Sequence, residues 1–280
     1  MSAFVMAAVL FAALLHAAWN ALVKSGPDKP LDMVLVTAGA AVFSLVSLLF
    51  LPMPAPPSWG YLMASVLIHL AYFGLVAAAY RSGDLSYAYP LMRGTAPLMT
   101  AVAAGLMLAE PLGPGGWTGV ALISAGILLL AIHQWRRGRF DAAQTGFALA
   151  NAVVICAYTL VDGVGTRLSG NAFSYVGWML ALNAALLVAI AGLQRPQALA
   201  AHARRRWHLG LAGGACTWGA YAIALWAMTQ APIAMVAALR ETSVIFGTVI
   251  AAIVLKERFG PARYLAAALV CSGAVALRLG

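Results

Sequence analysis

Charged residues are scarce in this chain. Of its 280 residues only 9% are charged, and Asp and Glu together number 8, whereas a soluble domain usually carries about 25% charged residues. Too few charges are present to cover a water-exposed surface, and 63% of the residues are hydrophobic. This composition excludes an ordinary soluble domain and indicates that lipid is the natural solvent.

Cysteine is also rare, and common catalytic and metal-binding motifs are missing. Cys156, Cys216 and Cys271 each lie within an apolar run, where cysteine usually acts as a small buried hydrophobic side chain. The sequence contains no CxxC pair, no HExxH and no glycine-rich phosphate loop. We therefore expect no disulfide framework, no metal site and no cofactor, and we do not expect an enzyme.

The formal net charge of +9 does not indicate a nucleic-acid partner. The basic residues lie in short gaps between apolar runs, an arrangement that orientation in a membrane explains better than nucleic-acid binding. The N-terminal run lacks a basic n-region and is long enough to cross a bilayer, so we interpret it as a retained helix rather than a signal peptide.

Ten apolar runs are each long enough to span a hydrocarbon core of ~30 Å, which requires about 20 residues of helix. Segments rich in Gly, Pro and charged residues separate them. We predict an all-α polytopic membrane protein with ten transmembrane helices. Their predicted bounds are 3–23, 31–51, 58–80, 86–108, 116–133, 143–163, 173–193, 207–229, 232–255 and 261–279.

The two halves of the chain resemble each other. Under one constant shift, the EPLGP segment from Glu110 aligns with the ERFGP segment from Glu257, and Arg93 aligns with Arg240. We predict two five-helix repeats, residues 1–135 and 143–280. Because five is an odd number, the second repeat enters the membrane from the opposite side, so the repeats are inverted, as in many transporters.

Positive charge is unevenly divided between the two sides of the predicted bundle. Thirteen of the seventeen Lys and Arg residues lie in the loops that join helices 1–2, 3–4, 5–6, 7–8 and 9–10, and only Arg167 and Arg278 lie on the opposite side. The positive-inside rule then predicts a multi-pass protein of the cell inner (plasma) membrane with both termini outside the cytoplasm.

Charged side chains inside the predicted helices mark a candidate substrate site. Arg93 and Arg240 lie deep in helices four and nine, where a charge costs at least ~2.5–3.5 kcal/mol. One interpretation is that both guanidinium groups bind an anionic substrate in a central cavity. The alternative is that each is snorkelling or held in a permanent ion pair, Arg93 with Glu241. Glu241 points away from Arg240 and is also a candidate proton carrier.

Further polar side chains are candidates for the cavity wall. His16, Trp19 and Asn20 share one face of helix one and either line the cavity or form interhelical hydrogen bonds. Asp162 lies near the predicted end of helix six, so we interpret it as a boundary carboxylate. Other candidates, for which core packing is the alternative, are His69, Tyr72, Tyr80, Tyr89, Asn151, Tyr158, Trp218 and Tyr221.

Prolines and glycines suggest how the bundle moves and packs. Pro90 and Pro97 lie on one face of helix four, and each removes an intrahelical hydrogen bond. We predict that they are gating hinges beside Arg93, with a fixed bend as the alternative. Helices five and ten are predicted to be a scaffold, because Gly126 and Gly273 allow close helix contact.

Nearly the whole chain resembles the ten-helix EamA-like branch of the drug/metabolite transporter superfamily. The segments that carry this resemblance are LHAAWNALVK (15–24), AAAYRSGDLSYAYPLMRGTAPL (77–98), EPLGPGGWTGVALISAGILLL (110–130) and ALRETSVIFGTVIAAIVLKERFG (238–260). The second segment is most similar to uncharacterised transporters, some of them associated with phosphonate utilisation. Helix one lacks the acidic residue on which small cationic-drug members of the superfamily rely.

Together these observations favour a secondary transporter or exporter of a small polar, anionic metabolite that works by alternating access. The alternatives are an amino-acid or other metabolite exporter without anion preference, a lipid-linked-sugar flippase subunit, and an intramembrane enzyme. We expect a small-molecule substrate, a coupling proton and the lipid bilayer as partners, and no nucleic acid. Both a monomer and a homodimer fit the sequence.

Overall fold

The computed structural model describes residues 1–82, 85–136, 141–255 and 260–279, and only the backbone of residues 77, 79–82, 85–86 and 251–255. Over these ranges the chain forms eleven α-helices, one 3-10 turn (Pro56–Ser58) and no strand. The helices are α1 (Ala3–Lys24), α2 (Lys29–Leu48), α3 (Trp59–Ser82), α4 (Leu85–Met107), α5 (Pro114–Trp135), α6 (Ala142–Leu168), α7 (Ala172–Gln194), α8 (Pro196–Met228), α9 (Ile233–Arg240), α10 (Ser243–Leu255) and α11 (Pro261–Leu279).

The predicted all-α fold with ten membrane-crossing helices is confirmed. Within the described ranges, nine segments are long and apolar enough to span a bilayer, with α9 and α10 contributing one of them, Ile233–Ile250. The tenth crossing is α4, which has 23 residues but a lower hydropathy because Arg93 and two prolines lie in it. Packing of α4 against α5, α6 and α9 shields these residues from lipid.

Three helices differ from their predicted bounds. The α8 helix has 33 residues, or about 50 Å at 1.5 Å per residue, so its arginine-rich first turns extend beyond a core of ~30 Å. The α6 helix continues to Leu168, five residues past its predicted end. The predicted ninth helix is broken after Arg240 into α9 and α10.

Local sequence determines where several helices begin. Asp28, Asp141 and Asn171 are N-caps of α2, α6 and α7, and each side chain accepts a hydrogen bond from a backbone N–H of the first turn. This satisfies donors that have no partner within the helix. Proline opens α5 and α8 at Pro114 and Pro196, where its missing N–H costs nothing.

Helix packing follows the two repeats. The α1 helix packs on α8 as α6 packs on α3, and α4 packs on α6 as α10 packs on α1. The α2 helix packs on α7, and α5 on α11, so each of these helices contacts its own counterpart. Exchanging the halves therefore maps one set of contacts onto the other, which is the pattern of inverted repeats around a two-fold axis in the membrane plane.

Glycines allow two helix pairs to approach backbone to backbone. A Cβ atom at Gly126 would lie 2.8 Å from the carbonyl oxygen of Ala266, and one at Gly273 would lie 2.8 Å from a carbonyl oxygen of α5. The prediction that helices five and ten approach closely at these glycines is confirmed. The α2–α8 pair is tighter still, since a Cβ at Gly214 would lie 2.3 Å from the carbonyl carbon of Gly39.

The three cysteines differ in exposure. Cys156 is buried and Cys216 half-buried, but Cys271 is exposed, and all three are free thiols. The prediction of burial is therefore wrong for Cys271, because α11 packs mainly on α5 and leaves its other face uncovered.

Candidate functional site

Helices α4, α6 and α9 enclose a small cavity. Its interior volume is about 10 Å³, which is room for about one water molecule. A larger solute therefore requires the helices around the cavity to move apart. The cavity wall consists of Arg93, Ala96, Pro97, Thr100, Ile155, Tyr158, Thr159, Ala237, Arg240 and Glu241.

Arg93 and Glu241 form an ion pair in this wall. Nε of Arg93 lies 2.8 Å from Oε2 of Glu241, and each residue is only 4% exposed. The two atoms are close enough to interact, but the Nε–H bond does not point at Oε2. Within the described chain, Nε, Nη2 and Oε2 therefore have no hydrogen bond of acceptable geometry. Glu241 therefore contacts Arg93 rather than Arg240, and the Nη2 group of Arg93 has no hydrogen-bond partner among the described residues.

Arg240 lies in a different environment. Its Cζ is 5.2 Å from the ring centroid of Tyr221, which is a cation–π contact. In the described part of the chain no carboxylate lies at ion-pair distance from Arg240. The neighbouring Glu241 is directed at Arg93 instead. Among the described residues, Arg240 is therefore a cavity cation without an acidic partner.

Asp162 is fully buried beside the cavity. Its Oδ1 accepts a hydrogen bond of 3.1 Å from the Tyr175 hydroxyl, and its Oδ2 accepts one from the Tyr221 hydroxyl. The interpretation of Asp162 as a boundary carboxylate is wrong, because α6 continues for six residues beyond it to Leu168. The feature that sequence analysis missed is a single acidic residue followed by nearly two further turns of helix.

Aromatic side chains connect α3, α6 and α8 in the same region. The His69 ring stacks on Tyr158 with centroids 4.4 Å apart, and Tyr72 meets Tyr158 edge to face at 5.9 Å. His69 Nδ1 lies 2.9 Å from the Ser65 carbonyl oxygen, and its Nε2 lies 3.5 Å from the Tyr221 hydroxyl oxygen. The structure thus brings these predicted residues together around the two arginines.

The α1 candidates divide into two groups. His16 meets Trp19 edge to face at 5.2 Å, and it lies within electrostatic range of Arg93 and Arg240. Asn20 donates a 2.8 Å hydrogen bond to the His16 carbonyl oxygen. Because this bond lies within one helix, it does not join α1 to a neighbour.

The remaining candidates lie at several depths in the bundle. Tyr89 is within electrostatic range of Arg93. Trp218 Nε1 is buried without a hydrogen-bond partner in the described residues. Asn151 donates to Met92 Sδ at 3.0 Å and belongs to the packed α4–α6 interface. The Tyr80 side chain lies outside the described part of the chain.

A group of polar contacts that sequence analysis missed ties helix ends together at one face of the bundle. We call it the Glu110–Arg167 clamp, after the ion pair at its centre. Glu110 Oε2 also accepts a 3.0 Å bond from the Ile233 N–H. Arg167 donates to the carbonyl oxygens of Met228 at 2.8 Å and Ala231 at 3.2 Å. The ends of α6 and α8, the start of α9 and the α4–α5 loop are therefore tied together.

The opposite face has its own polar ties between α2 and the arginine-rich start of α8. Asp32 Oδ1 accepts from Arg206 Nε at 2.7 Å and contacts His202 Nε2 at 3.0 Å. Asp28 pairs with Arg195 at 2.9 Å. Partial burial alone would raise the pKa of Asp28, but the Leu31 N–H and the Arg195 guanidinium lower this pKa below its usual value.

Known proteins show where this fold belongs. The described residues contain no group of three or more His, Cys, Asp or Glu that could hold a metal. The profile of the EamA-like transporter family matches residues 3–132 and again residues 145–279.

Solved structures share the fold, and 29 of their chains match. One, titled "Crystal structure of protein", is 16% identical with a TM-score of 0.74 and covers 99% of this chain and 96% of its own. No curated protein matches significantly. Since the two family matches span nearly the whole chain, it belongs to the EamA-like transporter family, whose members are membrane transporters of small molecules.

Proposed function

We propose that this protein is a secondary transporter of a small organic solute that carries a negatively charged group. The observation that carries this proposal is Arg240, a cavity cation that lacks an acidic partner in the described chain. An arginine at membrane depth costs at least ~2.5–3.5 kcal/mol, and a cation–π contact returns up to about 2 kcal/mol. An anionic group bound in bidentate fashion supplies the missing interaction.

Arg93 gives the solute a second contact. Its Nη2 is buried and has no hydrogen-bond partner within the described residues, although its charge is balanced by Glu241. Arg93 and Arg240 come from equivalent helices of the two repeats, so an anion between them touches both halves. His16, Tyr72, Tyr158, Trp218 and Tyr221 complete the proposed site.

Alternating access explains why the binding residues lie where the repeats meet. The Glu110–Arg167 clamp closes one face by joining ends of helices from both halves. Pro90 and Pro97 lie inside α4, and Pro97 also lines the cavity. We propose that α4 bends at these prolines when the clamp opens.

Uptake into proteoliposomes tests this proposal. Purified protein should exchange radiolabelled methylphosphonate, lactate or inorganic phosphate, and should not exchange choline. Arg240→Gln should weaken the apparent affinity roughly 10- to 100-fold, because a charged hydrogen bond contributes about 1.5–3 kcal/mol. The matched control is Arg205→Gln on the exposed start of α8, which should behave as wild type. Exchange of choline without any of the three anions would contradict the proposal.

A zwitterionic solute such as an amino acid is the second candidate, because the carboxylate of Glu241 lines the same cavity as the two arginines. The ammonium group of an amino acid would then compete with Arg93 for Glu241. Wild type should then exchange labelled alanine, and Glu241→Gln that retains its fold should lose this exchange and keep exchange of methylphosphonate. Absence of alanine exchange by wild type would favour a simple anion site.

Orientation in the membrane completes the proposal. The excess of basic residues in one set of loops indicates that these loops lie on the cytoplasmic side of the cell inner membrane. Both termini and the Glu110–Arg167 clamp then lie on the outer side. The repeats correspond to residues 1–135 and 143–280. A fluorescent protein fused to the C-terminus should stay dark in a bacterial host. Strong fluorescence would show that the C-terminus lies in the cytoplasm and that the orientation is the opposite one.

A further inference from the structure

The buried carboxylate of Asp162 has no role in the proposed anion site. No Lys or Arg of the described chain lies at ion-pair distance from it. Within the described ranges, its two oxygens accept hydrogen bonds only from the hydroxyl groups of Tyr175 and Tyr221. An ionised carboxylate at zero exposure without a cation beside it is costly in a membrane interior. Binding one proton removes that cost.

The hydrogen bonds around Asp162 have two consistent arrangements. The Ser65 carbonyl oxygen accepts from His69 Nδ1, which leaves the Nε2 lone pair facing the Tyr221 hydroxyl at 3.5 Å. When Asp162 is ionised, Tyr221 donates to its Oδ2. When Asp162 is protonated, it donates to the Tyr221 oxygen, and Tyr221 turns its own proton to His69. The protonated state satisfies all three groups, whereas the ionised state leaves His69 Nε2 without a donor among the described residues.

Charge connects this triad to the anion site. The titratable groups that interact with Asp162 are His69, Tyr158, Tyr175 and Tyr221. Tyr158 in turn lies within electrostatic range of Arg93, Arg240 and Glu241. With His69 neutral and Asp162 ionised, two arginines balance two carboxylates. One proton on Asp162 leaves one positive charge in excess, and the Tyr221 ring that contacts Asp162 carries Arg240 on its face.

We propose that Asp162 is the proton-binding site of this transporter, and that Tyr221 and His69 couple its protonation to anion binding at Arg240. One proton enters from water with each anion, restores neutrality in the site, and leaves with the anion on the other side. Coupling is reciprocal, so the proton and the anion each strengthen the binding of the other, typically by about 5- to 150-fold. This inference rests on the proposed anion site.

Infrared difference spectroscopy tests the proton site without any solute. As the pH is lowered, purified wild type should gain the carbonyl band of a protonated carboxyl group, and Asp162→Asn should not gain it. Glu241→Gln and the helix-cap variant Asp141→Asn should keep this band. A band that survives in Asp162→Asn overturns the inference.

Proteoliposomes test the coupling. With an acidic exterior, wild type should accumulate methylphosphonate above equilibrium, and Asp162→Asn should only equilibrate it. Methylphosphonate should also raise the pH at which the infrared band of wild type is half formed. Transport that ignores the pH gradient overturns the coupling and leaves the anion transporter standing. If wild type exchanges no anion but its infrared band is lost in Asp162→Asn, the proposed function is refuted and the proton site stands.

Discussion

Arg93 and Glu241 join the two repeats through one buried ion pair, with Nε and Oε2 separated by 2.8 Å. Arg93 comes from the fourth helix of the first repeat and Glu241 from the equivalent helix of the second. Sequence analysis offered a substrate-binding role and a structural role for Arg93 as alternatives. The structural role can be measured, because removing either residue leaves the charge of the other buried without a partner.

Removal of Arg93 should destabilise the fold. In Arg93→Ala the buried Glu241 carboxylate loses its partner, which costs about 3–5 kcal/mol. The double variant Arg93→Ala with Glu241→Ala should recover most of the melting temperature, because no buried charge remains unpaired. Arg205→Ala, on an exposed part of α8, is the control. A stable but inactive Arg93→Ala would instead make this residue purely a substrate ligand.

A single methyl group at Gly214 should separate α2 from α8. A Cβ there would lie 2.3 Å from the carbonyl carbon of Gly39 and 2.4 Å from the amide nitrogen of Ala40, and backbone atoms cannot give way. We expect Gly214→Ala to lower stability by about 1–3 kcal/mol, as overpacking does. Gly146→Ala has open space around it and should leave the melting temperature unchanged or slightly higher.

Opening the Glu110–Arg167 clamp should change access more than stability. Partly exposed ion pairs contribute up to about 1 kcal/mol, so Arg167→Ala should melt close to wild type. In a background without the three native cysteines, Thr159→Cys in the cavity wall should react with an impermeant maleimide about tenfold faster when Arg167 is replaced, which corresponds to ~1.4 kcal/mol.

The control for the clamp is Arg278→Ala, which removes an exposed basic residue that bonds to the Met1 carbonyl oxygen. This variant should not change the rate at which Thr159→Cys is labelled. An equal rate with and without Arg167 would show that the clamp does not restrict access to the cavity.

Acid should weaken the contact between α2 and α8. Because the pKa of Asp28 is lowered in the folded protein, its ion pair with Arg195 stabilises the fold above the usual aspartate value of about 3.9. That contribution disappears as pH falls through the lower folded value. Asp28→Asn keeps the helix cap and removes the charge, so its melting temperature should fall less on acidification. The expected difference is below about 1 kcal/mol, because Asp28 is partly exposed.

Sequence alone predicted the architecture, and four of the predicted substrate-site residues line the cavity: Arg93, Tyr158, Arg240 and Glu241. Apolar runs give transmembrane helices directly, because backbone groups in lipid must be satisfied within the helix. The spacing of Arg93 and Arg240 reflected the repeat, and both residues line one cavity.

The parts that sequence analysis missed depend on where helices end and how they pack. Asp162 was placed at a boundary because α6 was predicted five residues too short, and hydropathy gives poor helix ends. The Glu110–Arg167 clamp joins residues 57 positions apart, so no local pattern marks it. The partner of Arg240 also required packing, since cation–π contact with Tyr221 depends on how α8 faces α9.

The broken helix gives the two repeats different mechanical properties. Near residue 241 the N–H groups of Glu241, Thr242 and Val244 each bond to the carbonyl three residues earlier, which is the tight 3-10 pattern. Rewinding this turn as α-helix shortens it by about 0.5 Å per residue and rotates whatever follows. In α4 two prolines each remove an intrahelical hydrogen bond instead. Each repeat thus has its own kind of bending point, a pair of prolines in the first and a 3-10 turn in the second, so the two halves need not move by equal amounts.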